Sequence, residues 1–215
     1  MAGLADHDTI IRFMHILSGI VWIGMLYFFN LVNLPLLKFG LKKPYEFNMA
    51  EKATAHIAGK TLFWFRWGAA FTLLFGLLLL YIQQGKYEML WKAGGEARYS
   101  VYAIAMGGLF AIVMAFNVWF VIWPRQQKIL GNNKAIAAAT DEAEKKRLGD
   151  LNAPMVKTAT MASRANTWLS VPMLWGMVFG AHGPGTAAGW TYPLVVLAVV
   201  LVLMMLYANQ KPKKA

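Results

Sequence analysis

Five apolar runs limit what this chain can fold into: about 9–36, 61–83, 100–123, 165–182 and 190–207. A helix needs about 20 predominantly apolar residues to cross the hydrocarbon core of a bilayer. Lipid offers the backbone no hydrogen-bond partners, so runs of this kind must be helical. The expected fold is all-α, an integral membrane bundle of about five transmembrane helices. The chain reads as one membrane domain, 1–215, with no internal repeat. Composition agrees: 58% of the 215 residues are hydrophobic and 14% charged, and mean hydropathy is +0.45. A soluble domain of this length needs much less apolar surface.

The segments between the runs are polar. Residues 37–60 are basic, and Pro44 is placed to open a helix that leads into the second run. The first run exceeds what a bilayer needs and is expected to tilt or protrude. The third run is expected to stop at Pro124-Arg125. A polar section of about 125–164 follows, with a solvated helix over Lys134–Leu148 that has acids early and bases late. Gly149 is a candidate stop for it. Residues 85–99 read as a short loop. Pro172 is expected to kink the fourth run. Met1–Asp8 is acidic and lacks the basic start of a signal peptide, so the first helix is expected to be retained. Asn30, Asn33 and Asn117 are polar inside apolar runs and are expected to face protein.

The chain has no cysteine. That excludes disulfides, thiolate metal sites, iron–sulfur ligation and covalent c-type haem attachment. The net charge of +11 falls in the loops between runs, which favours membrane topology over nucleic-acid binding. Arg12, Lys86, Lys92 and Arg98 lie on one side of the bundle, and the other Lys and Arg lie on the opposite side. The positive-inside rule makes the cation-rich side cytoplasmic. The N-terminus is then outside and the C-terminus inside.

This topology gives two histidines a common depth. His15 lies within the first run, and a titratable side chain there is expensive and usually functional. His182 ends the fourth run on the same outer side. Two imidazoles at similar depth on antiparallel helices suit the axial positions of one haem. Gly19 follows His15 by one turn, and Gly176 and Gly180 precede His182; glycine leaves room for a flat macrocycle. Arg12 sits one turn outward of His15, where a propionate would point, and Arg98 is a more distant candidate. Trp22 and Trp175 are candidate pocket walls or ordinary packing. Met14 and Met177 are fallback ligands. Each histidine has a plainer alternative, an interhelical hydrogen bond or a helix end. His7 and His56 read as solvated. Arg66, within Phe63-Trp64-Phe65-Arg66-Trp67, reads either as an interfacial anchor or as a partner for an acidic group.

His15-Ile-Leu-Ser-Gly-Ile-Val-Trp-Ile-Gly-Met-Leu-Tyr-Phe-Phe-Asn, Trp64-Phe-Arg-Trp-Gly-Ala, Asn117-Val-Trp with Ile122-Trp-Pro-Arg-Gln-Gln-Lys, and Ala162-Ser-Arg-Ala-Asn-Thr-Trp-Leu-Ser-Val-Pro-Met-Leu together resemble the N-terminal membrane domain of the cytochrome c-type bacterial urate oxidases. The opening His-x-x-x-Gly-x-x-Trp-x-Gly also resembles membrane haemoproteins of the copper-resistance and protoporphyrinogen-oxidase type. There the first-helix histidine is regarded as a haem ligand, a role that carries to His15. Unlike the urate oxidases, this sequence shows no Cys-x-x-Cys-His, so the resemblance implies an electron acceptor on another chain. It also implies a bacterial inner membrane.

The leading expectation is a multi-pass b-type cytochrome subunit of a larger redox complex. Its four-helix core would hold one haem b between His15 and His182, with Arg12, Gly19, Trp22 and Gly180 around it. A second haem shared with a partner is compatible with this. A c-type cytochrome or a quinone is the expected redox neighbour, and no nucleic acid is expected. The alternatives are a urate oxidase-like oxidoreductase working with a separate c-type cytochrome, and a haem-free structural subunit of a respiratory or photosynthetic complex.

Overall fold

The computed structural model describes residues 2–35, 44–95 and 97–182, with Val199 and Leu203 beyond them; side chains are described over 7–35, 59–95 and 98–182. Nearly all the described residues are helical, with no strand among them. In chain order the helices are α1 (Ala2–Tyr27), α2 (Pro44–Ile82), α3 (Gln84–Ala93), α4 (Ala97–Phe116), α5 (Trp123–Ala138) and α6 (Glu142–His182). Two single π-helical segments interrupt them, Phe28–Asn33 after α1 and Asn117–Ile122 between α4 and α5. The expected fifth run, 190–207, lies outside the described residues apart from Val199 and Leu203.

Among the described residues, three stretches are long and apolar enough to cross a membrane: His7–Asn33, Gly59–Ile82 and Arg98–Ala138. The last spans 41 residues, or roughly 60 Å at 1.5 Å per residue, about twice the hydrocarbon thickness. Its polar far half therefore extends beyond the apolar zone. The helix does not stop at Pro124 as expected. A π turn precedes it, and α5 resumes at once with Pro124 in its first turn, where a missing N–H costs nothing.

α5 ends where Ala139 turns extended, and α6 begins after Asp141, whose carboxylate accepts the Ala143 N–H at 3.0 Å. This is an ordinary N-cap. α6 then runs through Gly149, Pro154 and Pro172 to His182; Gly149 is no stop. Its first turns carry ion pairs Glu142–Lys145 and Glu144–Arg147. The α5–α6 hairpin is clasped by Asn152, which accepts from Asn132 at 2.8 Å and donates to Asn133 at 2.9 Å. At the other end of the bundle, residues expected as loop form the short helix α3. It turns into α4 through Gly94 and Gly95, both at positive φ, a conformation that suits glycine. Pro44 does open the helix that runs unbroken into the second span.

α1, α2, α4 and α6 alternate in direction and close a ring of neighbours. The intimate pairs are α1 with α2 and α4 with α6, and both depend on missing side chains. A Cβ at Gly68 would lie 3.1 Å from the Trp22 backbone. A Cβ at Gly176 would lie 2.8 Å from the Gly107 nitrogen and would press on the Ala103 carbonyl. In lipid, where tails are as apolar as side chains, such close approach is a main source of helix association.

The polar groups face inward. Asn166 is 0% exposed, while Ile20 on the perimeter is 65% exposed. α6 carries the buried polar set Asn166, Thr167 and Ser170. Both π segments meet it: Asn30 donates to Ser163 Oγ at 2.8 Å, and Asn117 donates to Asn166 Oδ1 at 2.8 Å. Asn166 in turn donates to the Met114 carbonyl at 3.0 Å. A π turn inserts one residue and re-aims the side chains around it, and here both insertions supply an asparagine to the same partner helix.

Candidate functional site

α1 and α2 are antiparallel, with Trp22 against Gly68. Two turns toward the N-terminus of α1 this register brings His15 against Gly76. The imidazole lies on the α2 backbone: His15 Nδ1 is 2.8 Å from the Thr72 carbonyl, and a Cβ at Gly76 would come within 2.9 Å of His15 Cε1. A carbonyl only accepts, so Nδ1 carries the proton. In the neutral ring Nε2 keeps its lone pair. A metal-ligating histidine is commonly oriented in this way, by donating its other nitrogen to a backbone carbonyl. The Thr72 hydroxyl is satisfied by the Gly68 carbonyl at 2.7 Å.

Above His15 a polar chain ties α1 to the α2–α3 turn. Arg12 donates to Asp8 at 2.8 Å, Gln83 donates to the other Asp8 oxygen at 2.6 Å, and the Tyr87 hydroxyl donates to Gln83 at 3.1 Å. Burial holds the Tyr87 phenol above its ordinary range, which keeps it a donor. Arg12 thus already has an anionic partner. Arg98 is engaged as well: it donates to the Trp91 carbonyl at 3.0 Å and lies over the Trp91 ring.

His182 closes α6 and is exposed. Its level follows from two hydrogen bonds between α1 and α6. Tyr27 meets Ser170 at 2.9 Å, and Asn30 meets Ser163. Ser170 spends its own proton on the Thr167 carbonyl, so Tyr27 is the donor. The path from Tyr27 back to His15 is as long as the path from Ser170 on to His182. Both histidines therefore lie roughly 18 Å from that bond along their helices. They end helical paths of equal length from that bond; His15 is held on α2, and His182 stands at the end of α6.

The glycines serve helix packing. A Cβ at Gly19 would meet Thr72 Cγ2 at 3.8 Å, and one at Gly180 would run into the Ile104 side chain. Trp22 is 0% exposed, and among the described residues its indole N–H has no acceptor. Trp175 likewise has a buried indole N–H without an acceptor. Trp22 and Trp175 also lie at equal helical distance from the Tyr27–Ser170 bond. Buried donors of this kind are rare and call for an acceptor, such as ordered water or a ligand.

Thr72 and Gly76 were not singled out from sequence. Their signal is the spacing Gly68-x-x-x-Thr72-x-x-x-Gly76, a stripe of small residues on one helix face. Gly176-x-x-x-Gly180 is the same signal on α6. Among the described residues, no group of three or more His, Asp or Glu side chains gathers as a metal cage. No protein-family model, curated protein or solved structure matches this chain.

Proposed function

We propose that the chain is a membrane b-type cytochrome subunit that carries electrons within a larger redox complex, in which His15 and His182 would hold the haem. The observation that carries this reading is the His15–Thr72 hydrogen bond, which fixes the ring and leaves Nε2 free to bind iron. The donor types suit a haem: two imidazoles at equal helical distance from the Tyr27–Ser170 bond, and among the described residues neither is in an ion pair. The glycines do not provide the space once expected of them, because Thr72 and Ile104 fill it. The two unpartnered indole N–H groups, two turns deeper, add donors for an acceptor-bearing ligand or its waters.

When bound, a haem supplies one-electron redox chemistry. The chain's own residues orient one ligand nitrogen through Thr72, exclude water with the Trp22 core, and lock the rim through Asp8, Arg12, Gln83 and Tyr87. Under this reading the His15 end faces outward and the cation-rich end is cytoplasmic, in a bacterial inner membrane. A c-type cytochrome or a quinone is the redox neighbour. The resemblance to urate oxidase membrane domains supports the same class and makes urate oxidation with a separate c-type cytochrome a testable activity.

One observation favours a second reading, a haem-free structural subunit. Gly19, Gly76, Gly176 and Gly180 all sit against neighbouring helices, and the His15–Thr72 bond ties α1 to α2 with no metal needed. Reduced-minus-oxidised spectra of His15→Ala and His182→Ala separate the two. A haem ligand role predicts that each substitution abolishes or converts the α-band. A band left unchanged by either removes that residue from the ligand set.

A further inference from the structure

We infer that Arg66 is the centre of a binding site for the phosphate of an anionic phospholipid. This stands apart from the haem reading, since Arg66 lies at the opposite end of the bundle from His15.

The guanidinium is held by indoles. Its carbon lies 3.8 Å from the Trp123 ring centroid, 5.2 Å from Trp119 and 5.8 Å from Trp67. Trp119 itself meets Trp67 edge-on at 5.8 Å. These rings come from α2, the second π segment and α5, so tertiary packing builds the cage. Stacking on aromatic faces orients a guanidinium and strips water from its faces.

Among the described residues its charge is nevertheless unanswered. Arg66 Nε is buried and has no acceptor among them. None of the ion pairs among the described residues includes Arg66. The described acids lie elsewhere, at Asp8 and Glu88 by the His15 end and at Asp141–Asp150 on the far hairpin. An uncompensated, partly desolvated cation is costly and recruits an anion.

The surroundings select which anion. Trp64 and Phe120 beside the cage are 58% and 66% exposed on the perimeter, and Phe63 and Phe116 are exposed too. Exposed aromatics around a cation form the belt that sits at headgroup level. The anion dissolved at that depth is the phosphodiester of a lipid. A guanidinium binds phosphate through parallel N–H donors, and basic sites between helices on the cation-rich side favour anionic headgroups.

The test uses the full chain in detergent, delipidated and then titrated with phosphatidylglycerol or phosphatidylcholine, with bound lipid counted by native mass spectrometry. One phosphatidylglycerol per chain should be retained in preference to phosphatidylcholine. Excess inorganic phosphate should not displace it. Arg66→Gln should weaken retention at least about tenfold, the size expected for loss of a charge-assisted pair, and Arg66→Lys should fall between. Equal retention of both lipids by the wild-type chain overturns the proposal and needs no variant. Full displacement by inorganic phosphate overturns it in favour of a free-anion site. Unchanged retention by a folded Arg66→Gln chain overturns it as well.

Discussion

His15 and Thr72 are joined by a hydrogen bond that fixes both a tautomer and a helix pair. The imidazole Nδ1–H meets the Thr72 carbonyl at 2.8 Å, and the ring is flush with Gly76. The bond determines which nitrogen faces away from α2. It also makes Gly76 a position where size and function are coupled.

Gly76→Val should therefore move the ring. Even the first added carbon would sit 2.9 Å from His15 Cε1. Overpacking of this kind costs about 1–3 kcal/mol. The expected result is a lower melting temperature in detergent, with loss of the His15–Thr72 bond visible as a shifted imidazole resonance. A melting temperature and resonance equal to wild type would show that the ring is not held there.

Gly176→Ala should be worse tolerated than Gly108→Ala. At Gly176 the new methyl meets the backbone of Ala103 and Gly107, which cannot rotate away; at Gly108 nothing lies within 4 Å. Gly108→Ala should be neutral or stabilise by up to about 1 kcal/mol through helix propensity. Thermal unfolding of the two variants side by side checks the order.

Asn166→Ala removes a side chain that bridges Asn117 and the Met114 carbonyl. Both partners are left short of a hydrogen bond at a site closed to water. A loss of about 1–2 kcal/mol is expected, the scale of interhelical polar contacts in membranes. Hydrogen exchange should rise around the second π segment first.

At the far hairpin, the hydrogen bond and charge of Arg147 hold the Glu144 carboxyl below its ordinary value. Its folded pKa is depressed, so its contribution is present above the unfolded value and is lost as pH falls through the folded one. Fraying of the first turns of α6 should rise in that acidic window. Glu144→Gln should remove that pH dependence. Hydrogen exchange over 142–150 as a function of pH reads both.

Of the five expected runs, the fifth lies outside the described residues apart from Val199 and Leu203, and the fourth, 165–182, is helical but is not one of the three membrane-length stretches. Those three were legible because lipid enforces them: an apolar run of sufficient length must be a helix. Asn30 and Asn117 were legible as inward-facing for the same reason. The run through Pro124 was not, because the π turn that accommodates the proline leaves no mark in hydropathy. The persistence of α6 through Gly149 depends on its pairing with α5, which a local stop signal does not register. The glycines near His182 suggested open space. Their GxxxG spacing carried the better reading, that α4 fills it. Arg12 was read outward toward a ligand, although Asp8 stood one helical turn away. The antiparallel register of α1 and α6 was legible from alternating apolar runs, and Tyr27–Ser170 and Asn30–Ser163 fix it.

The most direct test is the haem content of the chain purified from haem-replete cells, read from its reduced-minus-oxidised spectrum. A b-type α-band corresponding to one haem per chain is expected, lost in His15→Ala. A folded wild-type chain with no b-type band would contradict the haem reading.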